Sequence, residues 1–318
     1  MKTIYLCQTP QTIKSVYDTN EIVYSKEDIL SHPEQFEDTE IIFSTWGMPQ
    51  FSEQEIKTHL PSLKAVFYGA GSVQGFARDF LNCDVRIFSA WGANAVPVAE
   101  YTVAQIILAN KGFFKAMGFT NMSKALKEFH QYPGNYNVKV GIIGAGMIGK
   151  LVINMLKDYN IDVLVFDPFL SDEKAKELNA TKTSLEEIFA QCLVVSNHLA
   201  DNEQTKGILN KALFQRMLPY ATFLNTGRGA QVVECDLIEV LTQRRDLIAI
   251  LDVTYPEPPK SDSPLYALEN CILTPHIAGS SGNEVRRMGE YMKAEYKNFI
   301  NNKPLKYEVT SEMLKTMA

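Results

Sequence analysis

Cysteine, tryptophan and histidine are scarce in this chain of 318 residues: five, two and five respectively. The cysteines, Cys7, Cys83, Cys192, Cys235 and Cys271, are scattered, odd in number and never in CxxC spacing. That pattern disfavours a disulfide framework and a zinc site, and fits a reducing cytoplasm. Long apolar runs are missing too. No charge-free stretch reaches the ~18 residues that a membrane helix needs. Met1 and Lys2 lead into a short apolar run without a cleavage-site pattern, so the start reads as a first strand and not a signal peptide. No block of Lys and Arg interrupts a net charge of −6 and a pI near 5.5, so nucleic acid is repelled on average.

What is present is ordinary globular material: 46% hydrophobic and 21% charged residues, with a mean hydropathy of −0.12. At ~150 residues per domain, the length suggests two domains. Short β-rich runs at 3–7, 21–24, 41–45, 63–68 and 85–88 alternate with helical stretches, which predicts a small parallel α/β unit. Residues 98–114 are nearly apolar all round and predict a buried helix. After a loop at 131–137, six more strand candidates follow, at 138–143, 163–166, 193–196, 222–225, 247–252 and 271–273. Strands and helices in that alternation describe a doubly wound sheet. A last helix over 284–302 carries Val285, Met288, Met292, Phe299 and Ile300 on one face. The expected organisation is therefore residues 1–95 with 284–318 as one domain and 96–283 as another, with a cleft between them and hinges near 93–96 and 278–283.

A dinucleotide fingerprint sits mid-chain, at Gly144-Ala145-Gly146-Met147-Ile148-Gly149. It follows an apolar strand, opens a helix over 150–158, and is followed 23 residues after Gly144 by Asp167 at the end of the next strand. Gly144 permits the tight turn, Gly146 lets backbone approach a pyrophosphate, and Gly149 lets helix and strand pack closely. The amides of Met147 and Ile148 would meet the phosphates at the helix N-terminus. Asp167 would accept from the adenosine ribose hydroxyls and repel a 2′-phosphate, and Pro168 and Phe169 supply no cation, so NAD is favoured over NADP.

Three further segments follow strands: Asn225-Thr226-Gly227-Arg228-Gly229, Asp252 through Glu257-Pro258, and Thr274-Pro275-His276. Ligands of open α/β sheets bind beyond the carboxyl ends of strands, so these loops could share one crevice. Together with Gly69-Ala70-Gly71, Val98-Ala99-Glu100 and the fingerprint, they resemble the D-isomer-specific 2-hydroxyacid dehydrogenase family over roughly residues 60–300. The resemblance implies a Rossmann NAD-binding domain beside a smaller flavodoxin-like substrate domain, and interconversion of a D-2-hydroxy acid with its 2-oxo acid. It further implies that Arg228 binds the substrate carboxylate, that His276 is the general acid/base, and that Glu257 orients His276 and favours the imidazolium. On the same footing, Asp252 would hold the nicotinamide carboxamide, and Gly71 and Ser72 would offer amides to the carboxylate. Thr226, His198 and Leu199 would line the nicotinamide side of the cofactor, where His276 also stands.

The chain departs from the family pattern at Ser72-Val73-Gln74-Gly75-Phe76, in place of an Asp-Asn-Ile-Asp type run, and at Asn110-Lys111-Gly112, where many relatives carry arginine. The first departure bears on which acid is bound. Trp46 and Trp91 are candidates for a substrate wall or for core aromatics. Two rival functions are an NAD(H)-sensing corepressor-like binding protein and a dehydrogenase of another small acid, such as formate or phosphite, on the same scaffold. The resemblance places the apolar helix at 98–114 in a two-fold interface, which predicts a homodimer.

Overall fold

In chain order the strands are β1 (Lys2–Leu6), β2 (Val23–Tyr24), β3 (Thr39–Ser44), β4 (Ala65–Tyr68), β5 (Arg86–Ser89), β6 (Tyr136–Ile143) and β7 (Asn160–Phe166). They continue as β8 (Thr181–Lys182), β9 (Val194–Asn197), β10 (Thr222–Asn225), β11 (Ile248–Leu251), β12 (Cys271–Leu273) and β13 (Glu308–Val309). This computed structural model describes residues 1–315. It separates into two units, Met1–Ala95 with the chain from Ser280 onward, and Val96–Gly279.

The first unit is built on a six-stranded sheet of order β13-β5-β4-β3-β1-β2. β1 to β5 are parallel and β13 pairs antiparallel with β5, so the sheet is mixed rather than wholly parallel. Without β13 the order is the flavodoxin-like 2-1-3-4-5. The chain returns to this unit because the helix Val285–Ile300 carries aromatics that the sheet needs. Phe67 stacks on Phe88 with ring centroids 4.7 Å apart, and Tyr296 and Phe299 meet Phe67 edge-on at 5.5 and 5.8 Å. At Gly289 a Cβ would stand 2.0 Å from the Val16 carbonyl oxygen, so only glycine lets this helix lie against Pro10–Tyr17. The second crossing falls at Gly279–Ser280 and not at 283–284. There Ser280 N donates to Asn94 Oδ1 at 3.0 Å, and a Ser281–Glu284 capping box leads directly into the helix.

The second unit has a seven-stranded parallel sheet of order β12-β11-β10-β9-β6-β7-β8. Counted within the unit this is 3-2-1-4-5-6 with one strand more, the order of a dinucleotide-binding sheet, with its switch point between β6 and β9. Strands buried on both faces by helices read as continuous Val/Ile/Leu runs, as in Val138 to Ile143. The apolar side chains form two clusters, one on each face.

Three sequence expectations need correction. The long helix runs Trp91–Asn110, not 98–114, and Glu100, Ala104 and Leu108 form an exposed stripe along it. It stops because Gly112 turns left-handed at φ +69°, and a short helix, Phe113–Ala116, restarts beyond. Ile300 is exposed at the end of its helix, although Met288 and Met292 are buried as expected. The two-residue strands β8 and β13 were not anticipated, because so short a run has no periodicity to read.

Candidate active site

The fingerprint loop leaves β6 at the switch point. Gly144 has φ +94°, and a Cβ on it would lie 2.8 Å from the backbone carbonyl of His198, so the loops after β6 and β9 are in direct backbone contact. A Cβ on Gly149 would stand 1.9 Å from the Gly144 carbonyl oxygen. Gly146 faces open space and precedes the helix Met147–Leu156, whose first amides have no partner within the helix. Asp167 accepts from Ala145 N at 2.7 Å and from Phe169 N at 2.8 Å, which fixes its carboxylate beside that loop. An open glycine, unpaired helix amides and an adjacent carboxylate are what the pyrophosphate and ribose of NAD require, so the residues fit that cofactor.

The same contiguity continues along the carboxyl edge of the sheet. Arg228 follows β10, and on its neighbour Gly229 a Cβ would overlap the Thr254 carbonyl carbon at 2.0 Å. The loop carrying Arg228 therefore lies against the loop that leads to Glu257. Glu257 in turn holds His276, Oε1 to Nδ1, at 2.6 Å. Both side chains are about half exposed, 42% and 50%, and an ion pair so exposed contributes only ~0–1 kcal/mol to stability. With Nδ1 committed to the carboxylate, Nε2 is the nitrogen left for other chemistry.

His276 stands in left-handed backbone, φ +55°, a conformation that costs a non-glycine residue roughly 1–2 kcal/mol. Asp252 braces this turn. Its Oδ1 accepts from Thr274 Oγ1 at 2.6 Å and Ile277 N at 2.8 Å, its Oδ2 from Ala278 N at 2.9 Å, and its carbonyl from His276 N at 3.0 Å. Tyr101 Oη adds a 3.2 Å bond to Thr274 Oγ1. Tyr101 was not singled out from sequence, and the Thr274-Pro275-His276 run marked the turn but not its support.

His198 is buried, with Nε2 2.9 Å from Ser196 Oγ and Nδ1 3.2 Å from Thr226 Oγ1. Thr226 Oγ1 lies 3.4 Å from that of Thr102, which is fully buried on the long helix. The ring is thus a structural bridge between the β9 and β10 loops, and Leu199 packs in the core. Burial drives the His198 pKa down from 6.5 to about 3, so the native ring is neutral. Its contribution to stability is complete above pH ~6.5 and is lost as pH falls from there towards 3, because the unfolded chain takes up a proton that the native ring refuses. Wild type is expected to lose about 1.4 kcal/mol per pH unit more than His198→Gln between pH 6 and 4. Urea titrations across that range check it; parallel pH dependences would contradict it.

In the first unit, Gly71 and Ser72 follow β4, with Gly71 half-buried and Ser72 exposed. Ser89 Oγ holds this loop through the Ala70 carbonyl at 2.9 Å. Val73 and Phe76 are buried, so the atypical run after Gly71 packs against its own unit. Trp46 is exposed after β3, where the Cys7 thiol donates to its carbonyl at 3.1 Å. Trp91 is half-buried and packs edge-on against Tyr307 at 5.6 Å. Among the described residues no cluster of His, Cys, Asp or Glu could hold a metal, and no helix is long and apolar enough to cross a membrane.

Comparison with known proteins bears on the family and the fold. Residues 103–278 match the model of the D-isomer specific 2-hydroxyacid dehydrogenase, NAD binding domain. The chain is 30% identical over 285 residues to a formate dehydrogenase of Chaetomium thermophilum, covering 85% of this chain and 76% of that one. It is 32% identical over 208 residues to a putative 2-hydroxyacid dehydrogenase of Bacillus subtilis, covering 62% and 58%. The fold is shared with a D-isomer specific 2-hydroxyacid dehydrogenase from Lactobacillus delbrueckii in an NAD-complexed form, at TM-score 0.79, 17% identity and coverage of 98% and 100%.

Proposed function

Because this chain belongs to the D-isomer-specific 2-hydroxyacid dehydrogenase family and is an NAD-dependent oxidoreductase of hydroxy and oxo acids, we propose that Arg228, Glu257 and His276 are its catalytic set. The observation that carries this reading is the 2.6 Å Glu257–His276 pair, on a loop that abuts the one bearing Arg228. Arg228 clamps the substrate carboxylate, a task for which a planar fork of donors is suited. That clamp turns the 2-oxo group towards His276, whose Nε2 gives its proton to the carbonyl oxygen in reduction and takes it back in oxidation. Glu257 keeps the ring in the orientation and tautomer that aim Nε2 at the substrate. NAD, when bound, supplies or accepts the hydride at the neighbouring carbon.

The amides of Met147 and Ile148 and the open backbone at Gly146, on the turn that Gly144 makes, hold the pyrophosphate, and Asp167 holds the ribose and turns away a 2′-phosphate. Thr226 and residues 198–199 form the nicotinamide wall. Asp252 has one acceptor position left beyond its three side-chain bonds, which suits a carboxamide donor. We assign the first unit to substrate binding and the second to NAD. Five free cysteines support a cytoplasmic location. The amphipathic helix Met122–Phe129 exposes Met122, Leu126 and Phe129, with Met117 and Phe119 nearby, and this apolar face supports a homodimer. Light scattering at micromolar concentration tests the dimer; a monomer mass would contradict it.

A second reading, oxidation of formate, is favoured by the 30% identity to a formate dehydrogenase. Formate becomes carbon dioxide by losing a hydride and no proton, so it makes no use of an acid/base pair. The His276–Glu257 pair therefore favours a hydroxy acid. A panel of 2-oxo acids with NADH, beside formate with NAD, decides between them by absorbance at the nicotinamide band. Turnover of 2-oxo acids and none of formate is expected. Formate turnover alone, or tight NADH binding with no turnover, would overturn the reading.

A further inference from the structure

We propose that Gln231 is the positioning residue of Arg228, and that its carboxamide clamps the arginine's loop to the nicotinamide wall at residues 198–200. The inference rests on the carboxylate role given above to Arg228. Gln231 is fully buried at the end of the turn Gly229–Gln231. Its Oε1 accepts from Asn197 Nδ2 at 2.6 Å and from the Arg228 backbone N at 3.3 Å. Its Nε2 donates to the carbonyls of Leu199 at 2.8 Å and Ala200 at 2.9 Å. All four hydrogen-bonding positions of the amide are used, across two loops that leave different strands.

Asn225 completes the arrangement. Its Nδ2 donates to the Arg228 carbonyl at 3.2 Å, while its Oδ1 accepts from Gly227 N at 3.1 Å and Asn197 Nδ2 at 2.9 Å. Both backbone polar groups of Arg228 are thus held by buried side chains, although glycine flanks it on both sides and would otherwise leave it loose. Gly227 is itself dictated by the clamp, since a Cβ there would stand 2.9 Å from Asn197 Nδ2 and 3.0 Å from Gln231 Oε1. The guanidinium itself donates through Nη1 to the Gly227 carbonyl at 2.8 Å, so the head group as well as its base belongs to the turn that Gln231 and Asn225 hold against residues 198–200. A misplacement of about 1 Å at such a group can cost 10²-fold in rate.

Glutamate at 231 keeps the shape but faces two carbonyls with a carboxylate that has no donor. The probe is oxamate, a non-reducible analogue of a 2-oxo acid, titrated calorimetrically into the full-length protein saturated with NADH. Gln231→Glu is expected to weaken oxamate about tenfold or more, and to raise KM for the 2-oxo acid more than it lowers kcat. NADH affinity without oxamate should fall by less than oxamate affinity does, because the helix amides at Met147 and Ile148 are untouched although the wall at 198–200 is not. In an Arg228→Gln background the further loss should be less than about twofold, because Gln231 acts through the arginine. Gln231→Met, which fills the space without charge, carries the test if the glutamate variant does not fold. A lower melting temperature with oxamate affinity within about twofold of wild type, or an undiminished loss in the Arg228→Gln background, would overturn the proposal. Unchanged oxamate affinity in Arg228→Gln alone would instead show that the carboxylate role of Arg228 has failed.

Discussion

His276→Asn is expected to lower kcat for 2-oxo acid reduction by about 10²–10⁴-fold, the range that a positioned proton donor contributes. Asparagine is the informative replacement because it tolerates left-handed backbone, and His276 stands at φ +55°. The turn braced by Asp252 should survive, and with it the fold. Since the lost Glu257 pair is half exposed, the stability change should stay within about 1 kcal/mol. Steady-state kinetics beside thermal unfolding make the check. A variant that keeps most of its kcat would remove His276 from proton transfer. A variant that loses both activity and several kcal/mol would mean that the turn is structural first.

The second large effect belongs to Arg228. Truncating one partner of a desolvated charge pair costs about 2–5 kcal/mol, so Arg228→Gln should lower kcat/KM for a 2-oxo acid by about 30- to 5,000-fold. Glutamine retains donors but neither the charge nor the fork. Arg228→Lys should recover only part of the loss, because a point charge does not reproduce bidentate contact. NADH affinity, measured by fluorescence in the absence of substrate, should change little. A small effect on kcat/KM with a large one on NADH affinity would move Arg228 from the substrate to the cofactor.

The parts of this site with fixed local chemistry were legible in the sequence. Gly144, Gly146 and Gly149 are readable because each answers a steric demand that a strand–turn–helix imposes, and Gly149 meets it at 1.9 Å. The segments that hold Arg228, Glu257 and His276 stood out because each follows an apolar strand, and the family resemblance implied the role of each residue. Gln231 and Asn197 did not stand out, because a neutral amide carries no periodicity of its own, and the four bonds of Gln231 reach residues up to 34 positions away. The family resemblance implied that the His198-Leu199 segment lines the nicotinamide, but it gave no sign that the ring of His198 bonds to Ser196 and Thr226. The long helix was misplaced for a related reason. Its apolar reading ran past Asn110, and the left-handed turn at Gly112 that ends it is a backbone event which hydrophobicity does not register.

The central claim is that one carboxylate-binding guanidinium and one carboxylate-oriented imidazole act on a single carbonyl group beside the nicotinamide. A crystal structure of the protein with NADH and oxamate tests it most directly. The account predicts that the oxamate carboxylate lies against the Arg228 guanidinium and its carbonyl oxygen within hydrogen-bond distance of His276 Nε2, with Glu257 still on Nδ1. Oxamate bound away from both side chains, or a carbonyl oxygen held by a group other than His276, would contradict it.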